Sequence, residues 1–93
     1  MAKTTHHQER TIAQAQNIVW GAGRRLYREG LVARTWGNLS LRVNADLFVI
    51  TPSGIVYEQM HPKQIVPVRL RDLCHTGKVK PSSEKALHAA IYQ

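Results

Sequence analysis

Cysteine is almost missing. Cys74 is the one cysteine in 93 residues, so no disulfide can form within the chain. A reduced compartment, most simply the cytosol, fits that count. Long apolar runs are missing as well, and none approaches the roughly 20 residues that cross a bilayer. The first ten residues hold neither an apolar segment nor a cleavage-like site, so no secretion signal is expected. Acidic residues are scarce, 6 against 13 Lys and Arg, which leaves a formal net charge of +7. Repeats and low-complexity tracts are absent. The remainder, 43% hydrophobic and 20% charged, is ordinary globular usage. A chain of this length is one modest domain or a piece of a larger one, and it gains from neighbouring chain or subunits.

The positive charge invites a nucleic-acid reading, but the cations are scattered from Arg24 to Lys85. The densest group, Arg24, Arg25 and Arg28 beside Tyr27, makes one basic helical face. No recognised nucleic-acid motif accompanies it. A solvated surface is the commoner meaning of such charge, so no nucleic-acid partner is expected. Salt-sensitive binding to DNA or RNA would reverse that expectation.

Hydrophobic spacing divides the chain into elements. Ile12, Ala15, Val19, Ala22 and Leu26 recur in steps of three and four, which predicts a helix over residues 9–29. Gly30 is placed to take the left-handed position beyond its end, with Leu31 folding back. After Gly37-Asn38 the period becomes two: Leu39, Leu41 and Val43 alternate with Ser40 and Arg42, as in a half-buried strand. Asn44-Ala45-Asp46 is a turn, and residues 47–50 complete a hairpin. Pro52-Ser53-Gly54 turns the chain sharply. Residues 65–70 are a third strand candidate, and Pro67 argues for a sheet edge or an irregularity there. Residues 72–80 read as a polar loop. A second helix opens at Pro81-Ser82-Ser83-Glu84, with Ser as N-cap and Glu in the first turn, and carries Ala86, Leu87, Ala89, Ala90 and Ile91. That helix has no stop signal before Gln93, so the chain is expected to be the N-terminal part of a longer domain spanning 1–93 and beyond.

Three polar segments interrupt these elements and share one character. Gly37-Asn38 precedes a strand, Ser53-Gly54 follows one, and Ser82-Ser83 caps a helix. Small residues let an oxyanion approach the backbone, while hydroxyls, an amide and free N–H groups act as neutral donors. A helix N-terminus adds partial positive charge. Each segment alone is an ordinary turn or cap. Brought together, the three would form a phosphate pocket without Lys or Arg.

Their order and spacing carry a resemblance. Trp36-Gly37-Asn38-Leu39-Ser40 with Arg42, then residues 50–54, then Lys80-Pro81-Ser82-Ser83-Glu84 and Leu87-His88, resemble the class II aldolase/adducin family over nearly the whole chain. This implies an α/β fold, the N-terminal part of a three-layer α/β/α sandwich with a mixed, largely antiparallel central sheet. It also implies a zinc-dependent class II aldolase, a lyase that cleaves a phosphorylated ketose and works as a homotetramer. By resemblance Gly37, Asn38, Ser53, Gly54, Ser82 and Ser83 bind the substrate phosphate, and Glu84 is the acid/base. Retro-aldol cleavage leaves an enediolate, which a bound zinc ion stabilises in the family, and a carboxylate held near the metal moves protons. Glu at position 84 leans toward an aldolase, whereas epimerases of the family typically carry Asp there. Trp36 is common among the epimerases, so an epimerase or dehydratase stays open. The bland reading of Glu84 is a carboxylate complementing the helix dipole.

The family's metal ligands, a His-x-His pair and a later His, do not occur. His6, His7, His61, His75 and His88 form no His-x-His or His-x3-His pair, so no metal site is expected within the chain. His88 is expected to pack or hydrogen-bond within the second helix. A non-catalytic interaction module like the adducin head is the competing reading. The intact polar loops and Glu84 argue against it.

Overall fold

A computed structural model of the chain describes residues 9–30 and 38–93. Helix α1 (Ile12–Arg28) begins at Thr11, whose extended backbone and hydroxyl start it. The hydroxyl accepts the Gln14 N–H at 3.0 Å, and Gln14 Oε1 accepts the Thr11 N–H at 2.9 Å. This reciprocal capping box satisfies two donors that a bare helix end would leave orphaned. Thr11→Ala is therefore expected to cost about 1 kcal/mol, seen as a lower urea midpoint at constant slope. Gly30 closes the helix at φ +73°, the left-handed position foreseen for it, while Leu31 lies outside the described residues.

The face that α1 buries keeps Ala15 and Val19 of the expected stripe and departs from it elsewhere. Ala15, Val19 and Gly23 are buried, whereas Ile12 and Ala22 are exposed. This row repeats every four residues and is made of small side chains. A row of small side chains lets the helix lie close on a sheet, which a hydrophobicity count undervalues. Trp20 and Gln16 flank it, donating to the carbonyls of Met60 at 2.7 Å and Ile65 at 2.8 Å. The basic face is partly used locally: Arg24 stacks on Trp20 at 5.3 Å and Arg25 pairs with Glu29 at 2.9 Å.

Strands β1 (Ser40–Arg42), β2 (Leu47–Ile50) and β3 (Val66–Arg69) form one sheet in that order. Each pairing is antiparallel, with Leu41 opposite Val49 and Val49 opposite Pro67. Asn44 Oδ1 shapes the β1–β2 turn by accepting the N–H groups of Asp46 at 2.8 Å and Leu47 at 3.0 Å. Pro67 sits on β3, at an edge of these three strands. The stretch between β2 and β3, unassigned by hydrophobic spacing, contains two short 3-10 turns, Tyr57–Gln59 and Pro62–Gln64.

The two faces of the sheet carry separate cores. Val43 and Val49, with Leu39, Leu41 and Leu47, pack on Ala15 and Val19 of α1. Phe48, Ile50, Val66, Val68 and Leu70 pack on the other side with Ala89 and Tyr92 of α2 (Lys85–Tyr92). A helix on each face makes the α/β/α layering that the resemblance implies. Helix α2 starts later than expected: Glu84 is its N-cap, and Ser82 lies two residues before it. No helix among the described residues is long and apolar enough to cross a membrane.

The loop after β3 holds a titratable contact. Arg69 grips Asp72 through Nε at 3.0 Å and a second nitrogen at 2.8 Å, and the Cys74 N–H donates to Asp72 Oδ1 at 3.0 Å. The Arg69 hydrogen bond, then the Cys74 N–H, lower the Asp72 carboxyl to about 2. A depressed carboxyl stabilises the fold at neutral pH and loses that contribution as pH falls from about 4, the unfolded value, through its folded value. Both side chains are well exposed, so the contribution is small. The Asp72 carboxyl carbon is expected to titrate near 2 by NMR, and Arg69→Met to raise it toward the ordinary carboxylate range, with the Cys74 N–H still holding it below that range.

Candidate functional site

Antiparallel pairing places the start of β1 beside the end of β2. Ser40 opposes Ile50, so the same register brings Asn38 alongside Pro52. The Thr51 N–H donates to the Leu39 carbonyl at 3.0 Å, and the Leu39 N–H donates to Thr51 Oγ1 at 3.2 Å. The approach to α2 joins the same corner. Pro52 bridges Pro81, the Ser53 N–H donates to the Lys80 carbonyl at 2.9 Å, and the Ser82 N–H donates to the Thr51 carbonyl at 2.9 Å. The Ser82 hydroxyl donates to Asn38 Oδ1 at 2.7 Å and accepts the Glu84 N–H at 3.1 Å. Asn38, Ser53, Gly54, Ser82, Ser83 and Glu84 therefore meet at one place. Gly37 and Trp36 lie outside the described residues.

Counting donors divides these residues into two sets. The N–H groups of Ser53 and Ser82 and the Ser82 hydroxyl are committed to the scaffold. They are not the free donors that the sequence suggests. The N–H groups of Gly54 and Ser83, and the hydroxyls of Ser53 and Ser83, are not engaged among the described residues. Asn38 Oδ1 is fixed by Ser82, and the Asn38 amide nitrogen has no partner among the described residues. Gly54 holds φ +77°, a conformation that favours glycine, and a Cβ at that position would meet no heavy atom within 4 Å. Neutral donors beside the N-terminal end of α2 suit a compact oxyanion.

Glu84 is exposed at that end, and its carboxylate does not cap its own helix. The local contacts expected for His88 within the second helix need correction. His88 Nδ1 is 2.6 Å from Ser40 Oγ on β1, which is 2.6 Å from the Tyr92 hydroxyl. Hydrophobic alternation gives no sign of this link, because Ser40 reads as a solvent position. Thr51 lies within the motif at residues 50–54, but the motif gives no sign that it is buried and bonded to both other loops. His61 Nδ1 accepts the Lys63 N–H at 3.2 Å and starts a 3-10 turn. No group of three His, Cys, Asp or Glu side chains able to hold a metal ion occurs among the described residues. The zinc that the resemblance implies has no ligand set among the described residues. A cavity of about 530 Å³ lies at the opposite end of the sheet, lined by Arg42, Asp46, Arg69, Arg71 and Gln93 among others. The bonded convergence of loops, rather than that cavity, marks the candidate site.

Known proteins share this fold. A family model described as the Class II Aldolase and Adducin N-terminal domain matches residues 17–93. An L-ribulose-5-phosphate 4-epimerase, UlaF of Salmonella paratyphi B, is 42% identical over 76 residues, covering 81% of this chain and 33% of its own. A solved L-fuculose 1-phosphate aldolase superposes with a TM-score of 0.78 at 30% identity, over 86% of this chain and 38% of that one. An L-fuculose-1-phosphate aldolase from Thermus thermophilus gives 0.70 at 26% identity, over 89% and 42%. The chain spans about a third of the length of the curated relatives that it matches.

Proposed function

We propose a function from one premise: the chain belongs to the class II aldolase and adducin N-terminal family. On this reading the full-length protein breaks and remakes the C3–C4 bond of a phosphorylated ketose, and its net reaction is epimerisation at C4. The observation that carries it is the meeting of Asn38, Ser53-Gly54, Ser82-Ser83 and Glu84 at one corner. Gly54 and Ser83 offer N–H groups, Ser53 and Ser83 offer hydroxyls, and Asn38 offers its amide to the substrate phosphate. Gly37 joins them by resemblance. Glu84, two residues past the Asn38–Ser82 bond, moves the proton.

The chemistry follows from the substrate class. The C4 hydroxyl of a 2-ketose is β to the carbonyl, so removing its proton cleaves C3–C4 and leaves an enediolate and an aldehyde. Re-addition to the opposite face of the aldehyde inverts C4. The described residues anchor the phosphate and handle a proton. Groups that stabilise the enediolate, including the family's divalent metal, belong on this reading to the rest of the full-length protein, as does assembly into a cytoplasmic homotetramer. Support for epimerisation comes from the 42% identity to a 4-epimerase. Glu84 and the 30% identical L-fuculose 1-phosphate aldolase support a second reading, cleavage with release of both fragments.

Full-length protein incubated with L-ribulose 5-phosphate separates the two by carbon NMR. The epimerase yields the C4 epimer, D-xylulose 5-phosphate, without fragments. The aldolase yields dihydroxyacetone and glycolaldehyde phosphate, or cleaves another ketose phosphate. Turnover of no phosphorylated ketose would overturn both.

A further inference from the structure

We infer that His88, acting through Ser40 and Tyr92, is a positioning residue that sets the rotation of α2 and thereby the pose of Glu84. The inference rests on the functional reading above only in taking Glu84 as the group that moves the proton.

Residues 38, 40 and 42 alternate along β1 with the apolar 39, 41 and 43, and each is tied to the α2 segment by a polar contact. Asn38 takes the Ser82 hydroxyl, Ser40 takes His88 and Tyr92, and Arg42 donates to the Tyr92 carbonyl while its guanidinium lies 5.6 Å from the Tyr92 ring centroid. The spacing suits both partners. Two residues of strand advance about 6.6 Å and four residues of helix about 6 Å, so the step from Ser40 to Arg42 keeps pace with that from His88 to Tyr92. Protons balance along the middle link in either sense: the Tyr92 hydroxyl donates to Ser40 and Ser40 to His88 Nδ1, or His88 Nδ1 donates to Ser40 and Ser40 to the Tyr92 hydroxyl.

Packing alone does not require this link. Ala89 is buried in the core and the Tyr92 ring stacks near Phe48 at 5.4 Å, which already holds α2 to the sheet. Apolar contact is non-directional, however, and leaves the rotation of a short helix weakly fixed. The outward side chains do not fix it either: Leu87 and Ile91 are 59% and 75% exposed. Hydrogen bonds of 2.6 Å do specify it. Glu84 lies one turn before His88 on the same side, and its carbonyl accepts the His88 N–H at 3.2 Å. Turning the helix by about 20° would carry a group about 5 Å from its axis by roughly 2 Å. Misplacement of about 1 Å can cost a reaction about a hundredfold.

The test uses full-length protein and three variants. His88→Leu removes the ring nitrogen, His88→Asn puts an amide that can donate or accept near the position of Nδ1, and Ser40→Ala removes one atom. His88→Leu and Ser40→Ala are expected to lower kcat about tenfold or more with KM for the phosphorylated ketose within about threefold, because the Asn38–Ser82 bond stays. His88→Asn is expected to recover most of kcat, and the Ser40→Ala/His88→Leu double variant to be no slower than either single one. An unchanged kcat below the melting temperature, a rise in KM instead, or no recovery in His88→Asn overturns the inference. Ser40→Ala alone decides the matter where His88→Leu does not fold. If the unaltered protein turns over no phosphorylated ketose, the functional reading has failed, and amide exchange decides this one. Faster exchange at Glu84 and Lys85 in Ser40→Ala, with α1 unchanged, sustains it, and unchanged exchange overturns it.

Discussion

Glu84→Gln in the full-length protein is expected to lower kcat by roughly two to four orders of magnitude while KM stays within about threefold. Glutamine keeps the size and shape of the side chain and removes its ability to accept and return a proton. The helix start should survive, since it is made by backbone groups: the Glu84 N–H donates to Ser82 Oγ, and its carbonyl accepts the His88 N–H. The carboxylate itself makes no capping bond. Loss of one negative charge at the helix N-terminus costs about 0.3–1 kcal/mol, too little to unfold the protein. Steady-state kinetics beside a thermal melt therefore separate the two meanings of Glu84. A large fall in kcat with little change in melting identifies the proton carrier. A small fall in melting with kcat intact leaves only a carboxylate that complements the dipole.

Much of the fold is legible where one side chain type repeats with one period. Leu39, Leu41 and Val43 announce β1, Asn44 announces the turn, and Gly30 announces the end of α1; each takes the predicted place. Legibility fails where burial is decided by size or by a distant partner. Ala15 and Val19 of the expected α1 stripe are buried, but Gly23 joins them while Ile12 and Ala22 stay exposed, because a close helix–sheet approach selects a small residue that a hydrophobicity count ranks low. Ser40 and Arg42 follow the alternation as polar positions, and in a two-layer protein they would face water. A second helix covers that side here, so they become its contacts, and nothing local to β1 foretells this. The site divides in the same way. Its residues are recognisable as three similar loops, but the count of free donors depends on which loops touch. Ser82 illustrates the point: a hydroxyl suited to an anion is spent on orienting Asn38.

That assignment gives Ser82 and Ser83 different expected phenotypes despite their adjacency. Ser82 is 5% exposed, and its hydroxyl serves two partners at once, Asn38 Oδ1 and the Glu84 N–H. Ser82→Ala removes both bonds, so a stability loss of about 1–2 kcal/mol is expected by urea unfolding of the full-length protein. It also frees the Asn38 amide to turn, so KM for the phosphorylated ketose is expected to rise about tenfold or more. Ser83 is exposed, and its hydroxyl is not engaged among the described residues. Ser83→Ala should thus raise KM with stability within about 0.5 kcal/mol of the unaltered protein. On the proposed reading Ser82 supports the donors and Ser83 is one of them, so only the first variant couples binding to folding. Should Ser82→Ala lose stability and keep its KM, the corner is a structural joint, and the phosphate must bind elsewhere.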